Sequence, residues 1–255
     1  MSSLIVELTD RCNLSCRHCP SGRHGGRGEL DLALFDRVLD QARAQGIDRL
    51  SFTGGEPTLH PRFPDILHHT TAAGYRFGLV TNGWVVAQRL EQLLPYRDWL
   101  SVITFSLDGG REASHDAQRG AGSFRRVMQA AYDFPVALSP GSPTPDLFPC
   151  APLHNDSFNL DWQGNLGLCC HLSSLETGAV EEVAGNLWTL ALGEALERLR
   201  LIRQRLHADK LRRQAEGRWR NNDDFPCWYC VRHFQKANWL RRCPHHPWYA
   251  ALNEE

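Results

Sequence analysis

No stretch of this sequence approaches the roughly 20 apolar residues that a bilayer-spanning helix needs. Its N-terminus lacks the charged, apolar and small-residue regions of a secretion signal. The chain is therefore expected in the cytoplasm, with no membrane partner. Net charge is also missing: 28 basic residues face 29 acidic ones, leaving −1. No global field advertises a membrane surface or a nucleic acid, and neither is expected as a partner. What remains is ordinary for a globular protein, with 255 residues, 42% hydrophobic and 22% charged. That length buries a full core, as one large domain or two unequal ones. In a reducing compartment its nine cysteines read as ligands or catalytic groups rather than disulfides.

One absence matters more than these. Cys12-Asn-Leu-Ser-Cys16-Arg-His-Cys19 sets three thiols four and three residues apart, without a fourth. Iron–sulfur clusters are normally held by four thiolates. Three thiolates would hold three irons of a 4Fe–4S cluster and leave the last iron open, as catalytic metal sites do. A structural zinc would need a fourth protein ligand.

Around the triad the first half alternates strand and helix. Residues 3–8, 48–53, 75–81 and 100–107 read as strands. Residues 29–45 carry Leu32, Phe35, Val38, Leu39 and Ala42 at helical spacing, and 63–73, 85–94 and 123–132 read as further helices. Repeated βα units imply a parallel sheet, with chemistry at the carboxyl ends of its strands. The repeat stops at 134–150, whose five prolines leave room for one short strand. The expectation is an α/β fold: a truncated barrel of four to five βα units over 1–135, then a cysteine-rich region over 136–255. Basic residues at 198–220 suit either a solvated helix face or a docking strip for an acidic peptide.

Gly54-Gly55-Glu56-Pro57 follows the second strand. Two glycines let backbone approach a ligand closely, and Glu56 can accept hydrogen bonds from an ammonium group. With the triad one strand earlier, the pairing resembles the radical S-adenosylmethionine (radical SAM) superfamily, over about residues 4–134. The resemblance implies that SAM chelates the open iron of the cluster at Cys12, Cys16 and Cys19. It also implies that Gly54, Gly55, Glu56 and Pro57 bind the SAM amino group. Reductive cleavage would then give a 5′-deoxyadenosyl radical that abstracts a substrate hydrogen. His18 falls at the aromatic position near adenine, and Asn82, in Thr81-Asn82-Gly83, joins the cofactor-binding set. Phe105-Ser106-Leu107-Asp108-Gly109, His115-Asp116 and Arg119 follow, similar to the SPASM and twitch branch of the superfamily. Ser106, Asp108 and Arg119 become candidates for the SAM ribose or carboxylate, since a guanidinium binds a carboxylate bidentately. Turn caps at Ser106 and Asp108 and a surface place for Arg119 are the plainer alternatives.

Thirteen residues separate Cys150 from Gly164 and four more lead to Cys169, ahead of Cys227-Trp-Tyr-Cys230 and Cys243. This resembles a twitch-type extension, with 161–165 as the turn of a β-hairpin and 190–206 as a helix. The resemblance implies one auxiliary 4Fe–4S cluster on Cys150, Cys169, Cys227 and Cys230. Cys170 would point away from Cys169 on a strand, and Cys243 stays an alternative ligand. A zinc knuckle is the simpler reading of the whole set.

A fully ligated auxiliary cluster implies electron transfer, hence oxidation: dehydrogenation or cross-linking of a natural-product precursor, a peptide or an aminocyclitol. The layout is similar to twitch-type aminocyclitol dehydrogenases and to maturases of ribosomal peptides (RiPPs). A peptide-binding domain ahead of the barrel is not expected. A separate peptide-recognition protein and a flavodoxin- or ferredoxin-type electron donor would be the partners. A redox-neutral epimerase, with Cys170 or Cys243 returning a hydrogen atom, is the alternative, as is a non-catalytic iron–sulfur or zinc module. His115, His171 and Arg111 are candidate bases, and the sequence does not choose among them.

Overall fold

The computed structural model describes residues 2–19, 28–133, 157–173, 182–218, 226–237 and 241. Seven strands form one sheet in the order β4-β3-β2-β1-β5-β6-β7. They are β1 (Ser2–Thr9), β2 (Ile47–Gly54), β3 (Arg76–Thr81), β4 (Leu100–Phe105), β5 (Ser157–Leu160), β6 (Asn165–Gly167) and β7 (Val183–Asn186). β1 to β5 run parallel, while β6 and β7 add antiparallel. Five parallel strands are too few to close an eight-stranded barrel. The sheet also continues across the expected boundary at residue 135, because β5 pairs with β1 on the side opposite β2.

Alternation along β1 explains the two faces. Leu4, Val6 and Leu8 are fully buried, with Leu50 and Phe52 of β2, Phe77 and Leu79 of β3, and Leu160 of β5. Helices α1 (Leu32–Ala42) and α2 (Phe63–Ala72) cover that face. Asp31 caps α1 by accepting from Ala33 N at 2.8 Å and Leu34 N at 3.3 Å, and Gly46, at φ 72°, closes the 3₁₀ turn (Arg43–Gln45) that continues it. The opposite face carries small or polar residues, including Glu7, Ser51, Gly78 and Asn159. A Cβ at Gly78 would press on Val102 Cγ1 at 3.0 Å, so glycine keeps β3 against β4.

The expected helix at 85–94 is broken into a 3₁₀ turn (Val86–Arg89), α3 (Leu90–Leu93) and a second 3₁₀ turn (Leu94–Tyr96). Pro95 supplies no N–H to carry α3 past Leu93, and the chain tightens there into the second 3₁₀ turn. An unexpected helix, α4 (Glu112–Arg119), precedes α5 (Ser123–Asp133). Its single buried residue is His115, so it has no apolar periodicity to read.

Past the hairpin turn at 161–165 lie α6 (Cys170–Ser173), α7 (Leu192–Ala215) and α8 (Pro226–His233). α7 packs Leu192, Ala195, Leu196 and Leu199 against the sheet and α1. Its arginines pair locally, Arg198 with Glu194 at 2.7 Å and Arg213 with Asp209 at 3.0 Å. Such pairs suit a solvated helix face, although Asp209 and Lys210 of the same helix are buried. Asp209 also clamps α8: it accepts from the Tyr229 hydroxyl and lies 3.1 Å from His233 Nδ1. Partial burial opposes its ionisation, yet Tyr229, Arg213 and His233 hold its carboxyl down at about 2. Among the described residues no helix is long and apolar enough to cross a membrane.

Candidate active site

The end of β1 and the end of β2 build the site together. Thr9 O accepts from Gly55 N at 2.7 Å, and Arg11 O accepts from Glu56 N at 2.7 Å. A Cβ on Gly54 would collide with the Thr9 carbonyl, and one on Gly55 with the Arg11 carbonyl. Gly54 also sits at φ 125°. The close approach these glycines permit is therefore between the Gly-Gly turn and the cysteine loop. Gly55→Ala must push the two apart. It is expected to destabilise the protein by about 3 kcal/mol and to lower the iron retained after reconstitution, read by melting and iron analysis.

Glu56 is fully buried. Its carboxylate accepts from Thr58 Oγ1 at 2.6 Å, Thr58 N at 3.3 Å, Thr81 Oγ1 at 2.9 Å and Asn82 N at 2.8 Å. Burial pushes its pKa up, and these hydrogen bonds oppose the rise. Pro57 starts the 3₁₀ turn that Glu56 caps. The carboxylate thus ties the Gly-Gly turn to the end of β3, and it is the glycine backbone that reaches the cavity.

That cavity measures about 210 Å³. Cys12, Leu14, Cys16, His18 and Cys19 line it from the cysteine loop, and Thr53 to Gly55, Val80 to Asn82, Ser106 and Arg119 form the rest. Arg17 N donates to Gln118 O at 2.8 Å, fastening the cysteine loop to α4. Arg119 Nε binds Asp108 Oδ2 at 2.5 Å, and His18 Nε2 lies 3.3 Å from the same oxygen. Ser106 and Arg119 line the cavity, while Asp108, outside that lining, holds the Arg119 guanidinium and lies beside the His18 ring. Burial pushes the Cys16 thiol up to about 11, with Arg119 pulling it down and Cys19, Cys12 and Asp108 pushing further. Burial raises Cys12 as well.

The donor set fits the cluster. Burial disfavours the thiolate at Cys12 and Cys16, and multivalent iron would supply the positive charge that stabilises thiolates there. Cys12, Cys16 and Cys19 line one cavity, so a cluster held there would meet all three sulfurs from the same side.

His115 is buried, and its Nδ1 accepts from Asp108 N at 3.2 Å while its ring packs edge-on to Phe124. Those contacts support the Asp108 loop. Of the second cysteine set, half-buried Cys169 directly precedes α6, and buried Cys230 lies on α8, which packs against α6. Lys236, just beyond α8, donates to Leu172 O at 2.8 Å and pairs with buried Glu182. Cys227 and Cys170 lie on α8 and α6; their side chains, like Cys150, Cys243 and the expected strand within 134–150, fall outside the described residues. Two contacts lie outside the motif reading: Thr81 as a Glu56 partner, and Glu7 as a buried carboxylate. A lone Glu between Val6 and Leu8 is the available signal for the second.

The radical SAM superfamily model matches residues 6–135, half of the chain, and the chain belongs to that superfamily. It is accordingly an enzyme, of a family that uses SAM and a 4Fe–4S cluster. Mycofactocin maturase MftC of Mycobacterium ulcerans (strain Agy99) is 34% identical over 136 residues, 52% of this chain and 36% of that protein. PqqA peptide cyclase of Streptomyces rochei is 32% identical over 133 residues, 51% of this chain and 36% of that protein. The chain thus matches little more than a third of the length of these relatives. The fold is similar to that of BtrN in complex with AdoMet and 2-DOIA, with TM-score 0.54 and 20% identity, covering 80% of this chain and 86% of that one. It is also similar to Streptococcus suis SuiB bound to precursor peptide SuiA, with TM-score 0.58 and 12% identity, covering 77% and 64%.

Proposed function

We propose that this enzyme cleaves SAM reductively in the cytoplasm and uses the resulting radical for the oxidative modification of a peptide. One observation carries the reading: a single cavity joins the three thiols, the Gly54-Gly55 backbone and the Asp108-braced Arg119. Cys12, Cys16 and Cys19 would hold the cluster. With SAM bound and an electron supplied, that cluster provides the 5′-deoxyadenosyl radical. Arg119 would take the SAM carboxylate, because Asp108 already fixes its guanidinium toward the cavity. The carbonyls of Gly54 and Gly55 would accept from the amino group, with Glu56 holding the turn in place. Ser106 would meet the ribose, and the His18 ring would face the adenine.

The second set is proposed to hold one auxiliary cluster through Cys150, Cys169, Cys227 and Cys230, in a twitch-type extension over 136–255. The contact of α6 with α8 supports it by bringing the chain at Cys169 beside the helix bearing Cys227 and Cys230. A separate electron donor of flavodoxin or ferredoxin type, and a peptide-recognition protein, complete the assembly. A peptide is preferred over an aminocyclitol because relatives 34% and 32% identical carry the names maturase and peptide cyclase.

Deuterium transfer tests the substrate class even while the substrate is unidentified. The reduced enzyme is incubated with SAM and extract from the source organism grown in heavy water, fractionated by size. Deuterium in 5′-deoxyadenosine is expected from the peptide fraction. Transfer from the small-molecule fraction alone would overturn the peptide assignment.

A further inference from the structure

By motif Asn82 belongs with the SAM-binding residues, yet its side chain faces a sulfur. Its Oδ1 accepts from Trp84 N at 2.8 Å, which fixes the amide orientation and turns Nδ2 the other way. Nδ2 then lies 2.9 Å from Asn13 Oδ1 and 3.7 Å from Cys12 Sγ. Leu14 N adds a second donor to the same sulfur at 3.5 Å. The backbone is held as firmly as the side chain, since Asn82 N donates to Glu56 at 2.8 Å. Asn82 is 7% exposed, so little water competes for these bonds. A pivoting surface amide would carry no argument, but this one is pinned at its oxygen, at its backbone nitrogen and by Asn13.

We propose that Asn82 is a positioning residue that sets the electron affinity of the cluster held by the triad, by donating its amide N–H to the Cys12 sulfur. This rests on the reading that Cys12, Cys16 and Cys19 hold an iron–sulfur cluster. Reduction adds one electron to the cluster and places more negative charge on its sulfurs. A donor aimed at a ligating sulfur therefore stabilises the reduced state more than the oxidised one and raises the potential. No bond is made or broken and no proton moves. Glu56 acquires a second consequence: the carboxylate that anchors the Gly-Gly turn also anchors the donor. The turn that shapes the SAM cavity and the strand end that tunes the cluster become one hydrogen-bonded unit.

The test is an EPR-monitored redox titration of the reconstituted full chain, following the signal that responds to added SAM. Asn82→Leu keeps the volume and removes the donor. Asn82→Asp keeps the acceptor for Trp84 N–H and removes the donor as well. Both are expected to bind iron at the wild-type level and to lower the reduction equilibrium constant about tenfold, which is 59 mV for one electron. Wild-type potentials in both fully loaded variants would overturn the proposal. Iron-free wild-type protein would instead overturn the cluster reading beneath it. If neither variant assembles, wild type made with asparagine labelled with ¹⁵N at the side-chain amide decides the matter. A weak ¹⁵N coupling in the pulsed EPR spectrum of the reduced cluster is expected, and its absence would refute the contact.

Discussion

Cys16→Ala is expected to cut 5′-deoxyadenosine formation by at least about a hundredfold while leaving the fold in place. Removing a group that merely orients a metal ligand costs roughly 10- to 100-fold, so removing a ligand should cost more. Cys16 is 5% exposed and faces the cavity together with Cys12, Cys19 and Arg119. The bonds that shape its loop are made by backbone: Arg17 N to Gln118 O at 2.8 Å and Cys19 N to Cys16 O at 3.2 Å. Alanine keeps both. The melting temperature of the apoprotein should therefore be close to wild type while iron content and SAM cleavage fall. Retained cleavage would show that the radical is generated elsewhere.

Glu7→Gln is expected to stabilise the protein at alkaline pH. Glu7 lies on β1, where Ser173 Oγ donates to its carboxyl and Asn159 Nδ2 does so at 2.8 Å. Burial pushes its pKa from 4.5 up to about 7; the hydrogen bonds from Ser173 and Asn159 oppose this, and the charges of Asp161 and Glu182 add to it. Lys236 is engaged with Glu182 and does not relieve Glu7 directly. The folded chain therefore binds this proton more tightly than the unfolded chain. Stability should fall as pH rises from 4.5 through about 7, then level off, with a total on the order of 3 kcal/mol. Glutamine never ionises and keeps an acceptor for both donors. Urea denaturation should show variant and wild type converging near about pH 5 and the variant ahead near about pH 8. Parallel curves would mean that Glu7 is not the group responsible.

Motif and periodicity carried much of the site, because the features concerned are local. The triad, the Gly-Gly turn and the helix built on Leu32, Phe35, Val38, Leu39 and Ala42 each depend on neighbours within a few residues. The pairing of β5 with β1 depends on contact between residues about 150 apart, such as Ser3 and Ser157, whose hydroxyls meet at 2.7 Å. No local pattern encodes that. The helix expected over 190–206 runs on to Ala215, since residues beyond Leu206 are largely polar and hold the helix through ion pairs rather than an apolar stripe. Glu56 shows a different limit. A carboxylate beside two glycines can serve a ligand or a neighbouring strand, and only the positions of Thr58, Thr81 and Asn82 decide that it faces the strand. His18 and Arg119, by contrast, reach the cavity from elements far apart in sequence, and only the motif series placed them together.

The most direct test of the central claim is an iron count paired with a SAM-cleavage assay on anaerobically reconstituted, dithionite-reduced protein. Roughly eight irons per chain, as two 4Fe–4S clusters require, together with 5′-deoxyadenosine formation, are predicted. Four irons with cleavage would remove the auxiliary cluster and keep the radical site. Iron bound without any 5′-deoxyadenosine would contradict the claim that Cys12, Cys16 and Cys19 hold a SAM-cleaving cluster.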